Sequence, residues 1–216
     1  EEGINCLGQN LVLDSSSPKQ LERAMVTTRG IAGLTGVNAA GHRHIRSSYY
    51  SGTKLATEGP WGWSKHYSYL VLHPVYLLAD YTGNPAARSL VLELADGLLA
   101  HFAPGKGVAG LPAAIQFTTD AEGTAARTFP PWPLFWASWR WTGDNKYLAP
   151  LFAGGLSVLS AINANALDQL DLRQDWNRRL QAGEPTRPIE RKRSDRRTPS
   201  AQAVFRTSTS GHFAWQ

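Results

Sequence analysis

Three stretches of the chain share one alternation of apolar and polar positions. Each has an apolar approach, a turn of Ser, Gly, Asn or Asp, and then a long segment with apolar residues at helical spacing. The first runs from Leu11-Val12-Leu13 through Asp14-Ser15-Ser16-Ser17-Pro18 into a helix predicted over 21–34. The second passes from Leu77-Leu78-Ala79 through the turn ending Gly83-Asn84-Pro85 into a helix over 86–102. The third goes from Trp139-Arg140-Trp141 through Thr142-Gly143-Asp144 into a helix over 145–167. In the second helix Leu90, Leu94, Leu98 and Phe102 form one stripe at i, i+4 spacing, the mark of a face turned to a core.

The turns carry the residues that start and stop helices. Ser17, Asn84 and Asp144 are N-cap types, able to accept bonds from free helical N–H groups. Pro18 and Pro85 follow at the first helical position, where a missing N–H costs nothing. Gly83 and Gly143 suit the left-handed residue that closes a preceding helix. The caps recur after 67 and 60 residues, a period that fits paired antiparallel helices. Between them, segments 64–80 and 131–141 are aromatic and nearly uncharged, so they read as inner helices. Ser64 would cap the first of these and Pro74 would kink it. The pattern predicts an all-α fold, an incomplete α/α toroid built of antiparallel helical hairpins. Its hairpins would fill 1–175, followed by a basic polar loop over 176–200 and the start of a further hairpin over 201–216. Phe213-Ala214-Trp215 echoes Trp136-Ala137-Ser138-Trp139, so both chain ends read as cuts in a longer domain.

The connections are of two kinds. The turns above are tight, whereas 35–63 and 103–130 are long, and long loops in a compact domain are functional or disordered. In a ring of hairpins both emerge on one face, where side chains distant in sequence can meet. The first loop holds Gly41-His42-Arg43-His44-Ile45-Arg46-Ser47-Ser48-Tyr49-Tyr50, then Lys54, Glu58 and Trp61-Gly62-Trp63-Ser64-Lys65-His66-Tyr67. His42 and His44 are either hydrogen-bonded loop residues or part of a site, and their clustering with Arg43, Arg46, Tyr49 and Tyr50 brings the two readings level. Trp61 and Trp63 alternate around Gly62 and serve as a stacking surface for sugar or as loop anchors. His66 and Tyr67 lie at the same face, His73 reads as a core residue, and Trp132, Trp136, Trp139 and Trp141 read as core at helical spacing.

Composition narrows the classes. The net charge is +5, but six basic and two acidic residues between Arg187 and Arg197 account for +4 of it. The rest is near neutral, so no nucleic-acid surface is indicated and the basic run reads as a solvated loop. No stretch reaches the roughly 18 apolar residues of a membrane helix. The single cysteine, Cys6, excludes an intrachain disulfide and a cysteine zinc site.

The loop chemistry separates two carbohydrate reactions. A glycoside hydrolase needs two carboxylates about the scissile bond. The first long loop offers Glu58, and the second Asp120 and Glu122. A polysaccharide lyase neutralises a uronate carboxylate with Arg or Lys, removes the adjacent proton with His, Tyr or Lys, and expels the 4-linked sugar. Arg, His, Tyr and Lys are what the first loop concentrates, which favours the lyase. His42-x-His44 is a weak metal motif without an evident third ligand, so no metal or other cofactor is assigned.

The run from Gly33 to Tyr50, followed by Trp61-Gly62-Trp63-Ser64-Lys65, resembles the C-terminal toroid of the exo-acting rhamnogalacturonan lyases and their YetA-like bacterial relatives. Tyr81-Thr82-Gly83-Asn84 and Trp141-Thr142-Gly143-Asp144 are similar to theirs as well, though many toroid enzymes share such turns. The resemblance covers about residues 5–170. It implies an acidic polysaccharide or oligosaccharide substrate, the rhamnose–galacturonate backbone of pectin, and partner β-rich domains in the same parent chain. By chemistry, His42 or His44 would act as base, Arg43 and Arg46 as carboxylate neutralisers, and Tyr49 or Tyr50 as acid. Trp61 and Trp63 would form the sugar platform, with Lys65, His66 and Tyr67 at its rim. A secreted or periplasmic setting is favoured over the cytoplasm, with neither nucleic acid nor membrane as partner. Two other functions fit the pattern: a toroid hydrolase acting on uronic-acid glycans, and a non-catalytic helical scaffold or binding module.

Overall fold

Leu90, Leu94 and Leu98 are 6%, 0% and 1% exposed, and this stripe forms the inner face of a helix running Pro85–Leu99. The computed structural model describes residues 2–14, 16–51, 53–107, 109–124 and 131–155. In chain order its elements are α1 (Glu2–Leu13), α2 (Pro18–Leu34), β1 (Thr35–Val37), β2 (Arg43–Ile45), β3 (Trp63–Lys65), α3 (His73–Thr82), α4 (Pro85–Leu99), β4 (Ala114–Gln116), β5 (Glu122–Gly123) and α5 (Trp132–Thr142). Short 3-10 turns occupy Gly59–Trp61, His66–Leu72 and Asn145–Tyr147. Helix α3 packs on α1, α2 and α4, and α4 packs also on α5. Their shared core includes Leu11, Ile31, Leu72, Val75, Leu78, Leu94, Leu98 and Phe135.

The helix boundaries follow the cap chemistry. Asn84 accepts a bond from the Ala87 N–H, and Asp144 from that of Lys146. Gly83 and Gly143 take φ of 67° and 71°, the left-handed closure that glycine adopts without steric cost. Ser17 occupies the N-cap position of α2 but makes no side-chain capping bond. Past Tyr147 the chain is helical from 148 to 155. The remainder of the helix expected over 145–167, the basic loop over 176–200 and the hairpin start over 201–216 lie outside the described residues.

The all-α expectation is overturned: the architecture is mixed, with helices and two small antiparallel sheets. Strands β1 and β2 pair with Gly36 opposite His44. Strand β3 pairs with β4, Ser64 opposite Ile115, and β4 pairs with β5. The long loops thus carry short paired strands within otherwise irregular connections. Their apolar positions alternate with polar ones over too few residues to rival the helical segments in the sequence, and β3 finds its partner some 50 residues away. The helix expected over 64–80 is corrected for the same reason. Ser64 is not a cap; it sits inside β3, hydrogen-bonded at 3.0 Å to the Tyr69 hydroxyl. The α-helix begins only at His73, which places Pro74 in its first turn. There no backbone bond is lost, so no kink arises.

Candidate functional site

The two long loops meet on one carboxylate. Asp120 lies in the turn between β4 and β5, where its N–H donates to the Gln116 carbonyl. Its φ of 58° is left-handed, a region aspartate tolerates better than bulkier residues. Three imidazoles surround it. Nδ1 of His42 lies 2.9 Å from Oδ2. Nε2 of His44 and Nε2 of His101 lie 3.4 Å and 3.3 Å from the other oxygen, Oδ1. The three rings are mutually tilted or edge-on, with centroids 5.5–6.2 Å apart.

Each member is positioned by its own segment. Asn38 closes the β1–β2 turn: its Oδ1 accepts from the N–H groups of Ala40 and His42, and Gly41 turns the chain at φ 84°. The Asn38 amide also donates to Asp120 Oδ1 at 2.5 Å, tying the two loops together. His44 is set in the middle of β2. That strand lies against α4 at Gly97, where an added Cβ would stand 2.3 Å from the Arg43 carbonyl oxygen. His101 follows the end of α4. Its Nδ1 is 3.2 Å from Glu122 Oε1, which also accepts from Lys106 Nζ at 2.5 Å. His101 therefore stands between two carboxylates, Glu122 at Nδ1 and Asp120 at Nε2. His42 meets a carboxylate at Nδ1 alone, and a carboxylate only accepts, so the proton of its neutral ring sits on Nδ1 and Nε2 is left to accept.

Burial and charge divide these groups. The His44 side chain is fully enclosed, and neither ring nitrogen has a hydrogen-bond partner of good geometry. Burial, reinforced by the neighbouring His101, pushes its pKa down to about 4, so it is neutral at pH 7. The His42 side chain is 32% exposed and is the solvent-facing member. Burial tends to raise the Asp120 pKa, but the bonds from Asn38 and His42 outweigh it and hold the carboxyl below its usual range. The bond from Lys106 does the same for Glu122.

The other expected site residues are distributed around this centre. Arg43 is committed to Glu93, at 2.6 Å, and to the Thr35 hydroxyl. Arg46 is half-buried over the Phe117 ring, 5.7 Å from its centroid, and forms no ion pair among the described residues. Tyr49 is exposed and packs on the exposed Trp61 with ring centroids 5.0 Å apart. Tyr50 instead packs against the core, its hydroxyl enclosed. Trp63 lies over Gly123, where a Cβ would meet its ring at 2.3 Å, so it anchors the three-stranded sheet. Lys65 sits 6.0 Å from the Tyr67 ring centroid, and His66 is buried. The basic run from Arg187 to Arg197 lies outside the described residues.

Reading along the sequence missed His101, Asn38 and Lys106. His101 was placed on a helix over 86–102, whereas α4 ends at Leu99 and releases it into the second loop. A histidine just past a helix end, at the start of a long loop, was the available signal. Asn38 was legible only as a turn residue before Gly41.

Chemically, three imidazoles converging on one carboxylate can orient a general base, through His42, or hold a cation. Comparison with models of known protein families, with curated proteins and with solved structures finds no match. Among the described residues no helix is long and apolar enough to cross a membrane.

Proposed function

We propose that this chain belongs to the catalytic part of an enzyme that cleaves uronate-bearing polysaccharide, of the rhamnogalacturonan type, by β-elimination. The observation that carries the reading is the His42–Asp120 pair, a solvent-facing imidazole oriented by a buried-side carboxylate at 2.9 Å. Its free Nε2 removes the proton beside the uronate carboxylate. The bond from the uronate to the 4-linked sugar breaks, its electrons leave with the sugar oxygen, and a double bond forms in the uronate ring. Arg46, without an ion-pair partner among the described residues, neutralises the carboxylate, which makes that proton acidic enough to remove. Tyr49 protonates the leaving oxygen, and its ring with Trp61 supplies the sugar-stacking surface. Arg43 and Tyr50 have structural partners and are left out of these roles. The resemblance of the 33–67 stretch supplies the substrate class; the cluster supplies the proton chemistry.

The test is ultraviolet absorbance during incubation of this chain with rhamnogalacturonan oligosaccharides. Growth of the unsaturated-uronate signal, lost in His42→Ala, is expected. Release of reducing ends without that signal would replace the lyase by a hydrolase. Neither product, from folded protein that retains sugar, would leave a binding module.

A further inference from the structure

The base role of His42 uses one oxygen of Asp120; the other faces two imidazole nitrogens that the elimination does not need. Among the described residues His44 Nε2 and His101 Nε2 both lack hydrogen-bond partners of good geometry, and both are enclosed, the His101 side chain being 9% exposed. Enclosed nitrogens without partners are costly, and two of them aimed at one carboxylate oxygen call for an occupant. We propose that His44, His101 and Asp120 form a binding site for a divalent transition ion of the zinc class, with one coordination place left open beside His42.

Three features support this. First, the spacing fits: bonds of about 2.0–2.2 Å to nitrogen and oxygen put the ligands of a tetrahedral ion roughly 3.3–3.6 Å apart. The two N···O separations are 3.4 Å and 3.3 Å. One ligand atom from each of His42, His44, His101 and Asp120 falls within 4.8 Å of the others, so the place beside His42 is within reach of the same centre. Second, an outer layer orients the ligands. Glu122, itself held by Lys106, faces Nδ1 of His101 and would accept its proton once Nε2 binds an ion, and Asn38 holds Asp120. A carboxylate behind a metal-binding histidine is the usual arrangement. Third, two nitrogens and one oxygen suit zinc or cobalt, whereas calcium and magnesium take oxygen. Three protein ligands with an open place is the pattern of reactive rather than structural zinc. The site shares its residues with the proposed elimination but does not depend on that reading.

The experiment is calorimetric titration of the chelator-stripped chain with Zn²⁺, without any sugar, so that it is blind to whether the lyase reading holds. One ion per chain is expected. His101→Ala and Asp120→Gly should weaken binding by more than about 100-fold, beyond the 10–100-fold that loss of an outer partner costs. Glu122→Gln, an exposed and nearly isosteric change, should fall within that 10–100-fold range and covers the case in which a ligand variant does not fold. His42→Ala should cost no more than Glu122→Gln, since it removes an outer rather than an inner contact. Absence of stoichiometric binding by the parent chain, or unchanged affinity in folded His101→Ala and Glu122→Gln, overturns the site. Loss in His42→Ala as large as in His101→Ala overturns the three-ligand assignment.

Discussion

Asp120 joins two requirements in one residue, a left-handed backbone and a carboxylate aimed at three imidazoles. The two can be separated. Asp120→Gly keeps the backbone free of strain at φ 58°, so it should retain the β4–β5 turn, seen as unchanged circular dichroism, while losing metal and activity. Asp120→Asn should also preserve the turn, because asparagine tolerates this region, but removes the charge that holds a cation. His66 gives a second prediction, away from the cluster. It is 2% exposed, and burial lowers its pKa from 6.5 to about 4, with only the Pro112 carbonyl favouring the proton. The unfolded chain therefore binds the proton more readily than the folded one. The neutral-His66 contribution is fully present above about pH 6.5 and is lost as pH falls toward 4, a change on the order of 3 kcal/mol. Denaturant midpoints measured between these pH values, with chelator present, should show that slope. His66→Gln should remove its share of the slope and leave that of His44, whose pKa burial lowers to a similar value, whatever the effect on stability at pH 7.

Between elements, the decisive contact is that of α4 with β2. Gly97 lets the Arg43 carbonyl approach so closely that a methyl group would stand 2.3 Å from it. Gly97→Ala should displace β2, cost about 1–3 kcal/mol in denaturant unfolding, and weaken metal binding through His44 without touching a ligand. This element-level geometry also marks what the sequence could and could not express. Helices were legible because apolar stripes and caps agree: Leu90, Leu94 and Leu98 with Asn84 define the start and inner face of α4, although it ends at Leu99 and not at Phe102. Three-residue strands carry no such redundancy. Trp63-Ser64-Lys65 becomes a strand only because Ala114-Ile115-Gln116 lies beside it, a tertiary fact that local pattern does not hold. The same holds for the site. His42 and His44 stood out by clustering, and Asp120 and Glu122 as the carboxylates of the second loop. Their convergence with His101 depended on where α4 ends and how β4 and β5 turn. Arg43 illustrates the reverse: its type suited carboxylate recognition, and its partner Glu93, one face of α4 away, could not be read from the loop.

At the scale of the described unit, helices α1–α5 form the support, and three segments from the two long loops converge on a centre they can share with an ion. Because the ion would bind the folded arrangement and not the unfolded chain, Zn²⁺ at 100 times its dissociation constant should stabilise the protein by about 2.7 kcal/mol. Thermal unfolding with and without chelator reads this directly. The centre would then combine two tasks, an ion on Asp120 Oδ1 and a proton acceptor on Oδ2, within one pair of loops. The most direct measurement is the visible spectrum of the stripped chain after addition of one equivalent of Co²⁺, which reports coordination number and ligand type together. Intense bands of four-coordinate cobalt, present in the parent and in His42→Ala but absent in His101→Ala, are the expected result. The weak spectrum of hydrated cobalt in the parent chain, with circular dichroism showing it folded, would contradict the assignment of this cluster as a metal centre.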